Sequence, residues 1–157
     1  NGQCLCAASQ PKGKLSMMNE FKPNNSLEEK LLAVYRKEIR IVDFLEILFD
    51  SQVIILADRD VDITIPDTNF KPLAISSPMN FNVLVAFSSI ERAQEALARY
   101  PGYPCAVVVD TAWFLQRAHD NVGFALNPGW PYGFELPPDA LQQLLYRFGV
   151  KEYVMRN

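Results

Sequence analysis

The stretch from Val122 to Leu145, V-G-F-A-L-N-P-G-W-P-Y-G-F-E-L-P-P-D-A-L-Q-Q-L-L, decides how the chain is read. Val122 to Leu126 is a short apolar run that reads as a strand. Asn127 to Leu136 is a loop dense in turn residues and rings. The double proline at Pro137-Pro138 then opens a helix that buries Leu141, Leu144, Leu145 and Phe148, and Gly149 stops it. Pro128 fixes its own φ and biases Asn127 toward an extended conformation, while Gly129 supplies the positive φ of a type II turn. Trp130, Tyr132 and Phe134 alternate with the breakers Pro131 and Gly133. Two readings fit these rings: they dock on the domain's own core, or they form an amphipathic recognition surface.

Outward from this stretch, short strands and helices alternate irregularly. Ser26-Leu27-Glu28-Glu29 has the pattern of a capping box, and Leu27, Leu31, Val34 and Tyr35 recur at helical spacing. A second amphipathic segment carries Ile41, Phe44, Leu45, Leu48 and Phe49. Gln52 to Ala57, Leu73 to Ser76, Asn82 to Phe87 and Cys105 to Val109 read as strands. Ser88-Ser89-Ile90-Glu91 repeats the capping-box pattern ahead of a helix with Ile90, Ala93, Leu97 and Tyr100 on its inner face. Asp110 is placed to cap a short helix with Trp113, Phe114, Leu115 and Ala118. Between Asp58 and Ile65 acids alternate with apolar residues, which suits a solvated strand edge or loop. A calcium loop does not fit there, because Ile63 stands where glycine is needed and Asn69 where the bidentate glutamate is needed. The expected fold is α+β: a single domain with a mixed β-sheet packed by N-terminal, middle and C-terminal helices.

The 157 residues suit one domain with a full core. Residues 1–24 lack periodicity and read as a flexible tail or linker, 25–150 as the domain, and 151–157 as a last strand or the start of a linker. The net charge of −3, with no Lys/Arg cluster, argues against nucleic acid, and no apolar run is long enough to span a membrane. Cys4, Cys6 and Cys105 do not make a zinc set, and Cys105 reads as a small buried apolar residue. No cofactor or metal is expected, and a cytoplasmic location is the default.

The resemblance rests on three segments. Asn25 to Leu31 (N-S-L-E-E-K-L), Phe87 to Ala93 (F-S-S-I-E-R-A) and Gly123 to Gly129 (G-F-A-L-N-P-G) resemble, in order and spacing, the N-terminal domain family of SseB, the enhanced serine sensitivity protein. It covers roughly residues 25 to 148. It implies a bacterial protein of a family without an established catalytic mechanism, often joined to a second, C-terminal domain.

No nucleophile–base pair is evident. Ser88 and Ser89 are accounted for by capping, His119 by a solvent-facing helix end, and the G-x-S-x-G, Walker and H-E-x-x-H motifs are absent. The expected role is therefore a non-catalytic protein-interaction or accessory module, contacting a protein partner through Trp130, Tyr132 and Phe134 with Trp113 as neighbour. The alternatives are a small-ligand sensor or enzyme linked to serine metabolism, with a pocket near Asp110, His119 and Asn127, and an immunity or secretion-associated accessory protein.

Overall fold

A computed structural model describes residues 4–6, 22–65 and 69–151. Among them, β1 (Cys4–Cys6) is followed by α1 (Ser26–Tyr35), α2 (Ile41–Phe49), β2 (Gln52–Ala57), β3 (Ala74–Ser76) and β4 (Asn82–Ala86). Then come α3 (Ile90–Arg99), β5 (Cys105–Asp110), α4 (Thr111–Gln116), β6 (Val122–Leu126), β7 (Phe134–Leu136) and α5 (Pro138–Arg147). Three strands form a sheet in the order β1-β5-β2, and four form a second in the order β3-β4-β6-β7. All pairs are antiparallel except β4 with β6. Backbone hydrogen bonds between Ile54 and Phe87, and from Leu73 N–H to the Leu56 carbonyl, join the two sheets through β2.

Side chains alternate along a strand, so β2 and β5 feed two cores at once. On one face, Val53, Ile55, Val107 and Val109 meet α1, α2, α4 and α5 through Leu31, Phe44, Leu48, Phe114, Leu141 and Leu145. On the other, the helix that Ile54, Leu56 and Ala106 meet among the described residues is α3, through Ala93, Ala96 and Leu97. Burying each large core side chain stabilises by roughly 1.5–3 kcal/mol, which is why these runs read as unbroken apolar stretches. The α+β class and the mixed sheet are as expected.

Several local expectations change. The N-cap of α1 is Asn25, whose side chain accepts from Glu28 N–H at 2.9 Å, so the box begins one residue before Ser26. Ser89 stands at the N-cap of α3 and Asp110 at that of α4, and neither makes a side-chain cap bond. Asp110 accepts from the Gln52 amide instead. Asp58 to Ile65 takes the loop alternative of its expected reading, with Val61 buried, Ile65 exposed, and Asp62 closing a turn onto Thr64. Phe134–Leu136, read as loop, is strand β7, created by pairing with β6. Within the expected tail, Cys4–Cys6 pairs with β5 and the Lys22 carbonyl accepts from Arg92. Residues 1–3 and 7–21 of the tail, and the segment from residue 152 onward, lie outside the described residues, whereas Val150 and Lys151 are not in a strand.

Candidate functional site

The loop from Asn127 to Leu136 is fastened by a buried polar network that starts at the first turn of α1. Glu28, fully buried, faces Arg92 on α3 as a two-pronged ion pair, with Oε1 at 3.0 Å from Nη2 and Oε2 at 3.2 Å from Nε. Ser88 Oγ donates to Oε2, and Asn24 N–H donates to Oε1 at 2.9 Å. Asn25 Nδ2 donates to the Ser88 carbonyl at 2.8 Å, which fixes the start of α1 against the start of α3. Ser88 N–H then donates to Asn127 Oδ1 at 2.9 Å, and Asn127 Nδ2 donates to Ser88 Oγ at 2.8 Å and to the Tyr132 carbonyl at 3.3 Å. A buried charge is tolerated only when paired and hydrogen-bonded, and here both conditions hold.

Burial by itself pushes the Glu28 carboxyl up. The Arg92 guanidinium, the Ser88 hydroxyl and the Asn24 amide together outweigh it and hold the group below the ordinary glutamate range. The positive end of the α1 dipole acts in the same direction. Ser88 thus links Glu28 to Asn127, and the arrangement joins the starts of α1 and α3 to the loop.

Asn127 departs from the extended conformation its proline neighbour favours: its φ is +55. Asparagine tolerates this left-handed region, and both ends of its amide are held by Ser88. Its carbonyl accepts from Trp130 N–H at 3.1 Å around Pro128 and Gly129, whose φ is +88, giving the expected positive-φ glycine in the turn.

The rings that follow are half-buried and packed on the two cores. Trp130 lies under the Arg92 guanidinium, 4.7 Å from ring centroid to Cζ, and its indole N–H donates to the Arg92 carbonyl at 3.0 Å. Tyr132 meets Tyr35 edge-on at 4.9 Å, and the Tyr35 hydroxyl donates to the Gly133 carbonyl. Phe134 meets Phe44 edge-on at 5.9 Å and Phe124 at 6.3 Å. Each ring is thus a pin, and Trp130 and Tyr132 keep part of their surface in solvent. Trp113 packs elsewhere, stacked on Phe70 and covered by Arg117 at 3.9 Å.

Asp110, His119 and Asn127 occupy three separate environments. Asp110 is at the exposed end of β5, and Asn127 is inside the network. His119 is exposed beside a cavity of about 340 Å³ lined by Phe70, Leu84, Phe114 and Arg117. A second cavity, about 200 Å³, lies between α3 and the sheet, bordered by Pro128, Gly129 and Trp130. Among the described residues no three His, Cys, Asp or Glu side chains cluster as a metal site, and no helix is long and apolar enough to cross a membrane.

Sequence reasoning missed Glu28, Ser88 and Arg92 as one unit. Its available signals were a glutamate in a first helical turn and an arginine on an otherwise apolar helix face. Neither names its partner across 64 residues.

The architecture is that of an α+β domain in which one buried ion pair clamps two helix starts and a proline–glycine loop. Segments 25–31, 87–93 and 123–129, which carry the resemblance, all contribute to that clamp. The family model of the SseB protein N-terminal domain matches residues 27–143, and the chain belongs to this family. No curated protein and no solved structure matches the chain.

Proposed function

We propose that the chain is a non-catalytic interaction module of a bacterial, cytoplasmic SseB-like protein, which binds a protein partner through the loop Asn127 to Leu136. The observation that carries this reading is the rigid, half-exposed pair of rings: Trp130 fixed by Arg92, and Tyr132 fixed by Tyr35. Ring-rich surfaces that lose little entropy on binding make strong interface anchors. Phe134 serves as the internal support of this surface, since its contacts are with Phe44 and Phe124. The surface extends to Tyr35, which is 46% exposed beside Tyr132.

Affinity capture from the native host with wild type, Trp130→Ala, Tyr132→Ala and, as a control on α5, the exposed Tyr146→Ala tests the proposal. Partners should be lost from the first two variants and kept by the third, in proteins whose circular dichroism is unchanged. Retention of the same partners by a folded Trp130→Ala/Tyr132→Ala protein would remove the loop from this role.

A further inference from the structure

We propose that Cys6 and Cys105 form a reversible disulfide when the chain meets a small-molecule disulfide such as oxidised glutathione, and that this bridge staples β1 to β5. The proposal rests on strand register. It goes beyond the interaction reading and does not depend on it.

β1 is three residues long and lies at the edge of its sheet, with β5 as its neighbour. The antiparallel register sets Cys6 directly across from Cys105, Leu5 across from Ala106 and Cys4 across from Val107. Directly opposed residues share a face of the sheet, and their Cα atoms stand about 4.5–5.5 Å apart. A disulfide needs about 4.4–6.8 Å between Cα atoms, so the Cys6–Cys105 position meets the requirement with the backbone where it is. Cys4 and Cys105 are diagonal neighbours, about 7–8 Å apart, which is beyond bridging range. The register therefore selects one cross-strand pair among the three cysteines. A slip of one residue would set Cys6 across from Pro104 or Ala106, where no bridge forms.

Cys105 is a buried thiol, 7% exposed, next to Ala57 in the register with β2 and part of the helix-covered core. Apolar burial disfavours the thiolate, so Cys105 is slow to meet a dissolved oxidant by itself. Cys6, on the edge strand, takes the first step. Its thiolate attacks the oxidant's disulfide, expels one thiolate and leaves a mixed disulfide. Cys105 then gives its proton to water, and its sulfur attacks the Cys6 sulfur and expels the second thiolate. Two cysteine thiols are oxidised and one oxidant disulfide is reduced to two thiols. Excess thiol runs the same steps backward. In a reducing compartment the pair stays open and closes only under oxidant, as redox-sensing disulfides do. The closed bridge spans a loop of about 100 residues, long enough to restrict the unfolded chain strongly.

The full chain, first reduced, is equilibrated with mixtures of reduced and oxidised glutathione, trapped by alkylation and mapped by mass spectrometry without reduction. The oxidised chain should keep one alkylatable thiol, that of Cys4, and give a peptide linking Cys6 to Cys105. Cys4→Ala should form the bridge as wild type does, and Cys6→Ser should not form it. Oxidation should raise the melting temperature of wild type by about 4–16 °C, leave that of Cys6→Ser in place, and be undone by excess thiol. Cys6 is on the edge strand, so this comparison needs no substitution in the core. Four outcomes would each overturn the proposal: a main product linking Cys4 to another cysteine or one chain to a second, oxidation that stops at a glutathione adduct, a linked chain with an unchanged melting temperature, or a bridge that excess thiol does not open.

Discussion

Arg92→Met is the sharpest perturbation of this domain, because it removes the cation from a carboxylate that has no solvent. Glu28 is fully buried and the Arg92 side chain is 6% exposed, so water cannot replace the lost partner. Breaking one side of such a pair costs about 3–5 kcal/mol, a large share of the 5–15 kcal/mol that holds an ordinary domain together. At roughly 2–4 °C per kcal/mol for a chain of this size, the melting temperature should fall by about 6–20 °C. The loss should depend on pH in a particular direction. In the wild type the Glu28 carboxyl is held below its ordinary value, so its contribution is complete above the unfolded value of about 4.3 and disappears as pH falls through the lower, folded value. In Arg92→Met, burial acts unopposed by the cation and raises the folded value. The variant then recovers stability as pH falls toward the unfolded value. The gap between the two proteins should therefore be widest near neutral pH and narrow steadily in acid. Urea unfolding followed by circular dichroism at about pH 7 and about pH 4 measures it, with Glu28→Gln/Arg92→Met as the control that removes both charges and keeps the acceptor for Ser88. The double variant should be clearly more stable than Arg92→Met near neutral pH. A deficit under about 1 kcal/mol, or one equal at both pH values, would refute the argument that an unpaired buried charge is the cause.

Three further outcomes follow from the same geometry. Asn127→Ala should destabilise by about 2–4 kcal/mol in chemical denaturation, because Ser88 N–H loses its acceptor and alanine is poorly suited to a φ of +55. Gly123→Ala should disrupt the β6–β7 pairing, since a Cβ there would stand 2.2 Å from the Leu136 carbonyl oxygen; faster amide hydrogen exchange at Phe134 and Leu136 would report it. Gly129→Val should cost about 1–3 kcal/mol from its φ of +88 alone, as nothing lies within 4 Å of the position a Cβ would take, and an unshifted melting temperature would contradict the turn geometry.

How much of this was legible beforehand differs by residue. Val122–Leu126 and Pro138–Arg147 match their sequence reading because each boundary is set by neighbours: an apolar run closed by Asn127-Pro128-Gly129, and a proline start with a glycine stop. The positive φ at Gly129 was legible for the same reason. β7 was not, because three residues carry too little pattern and the strand exists only by pairing with β6. The rings stand out in the sequence, but what they pack against is decided by tertiary contacts: Arg92 over Trp130, Tyr35 beside Tyr132, and Phe44 with Phe124 against Phe134.

The sequence by itself determined the local elements other than β1 and β7, the α+β class and the family, since hydrophobic period, capping residues and turn chemistry act over a few residues. Only the tertiary structure decided that Ser88 serves Glu28 and Asn127 instead of its own helix, and that an arginine and a glutamate 64 residues apart form the clamp under the loop. The reason is physical. A serine at a helix start has an acceptable local partner, and nothing local shows that a buried carboxylate will compete for it. That competition is set by desolvation, which acts on whatever the folded chain brings together, regardless of its distance along the sequence.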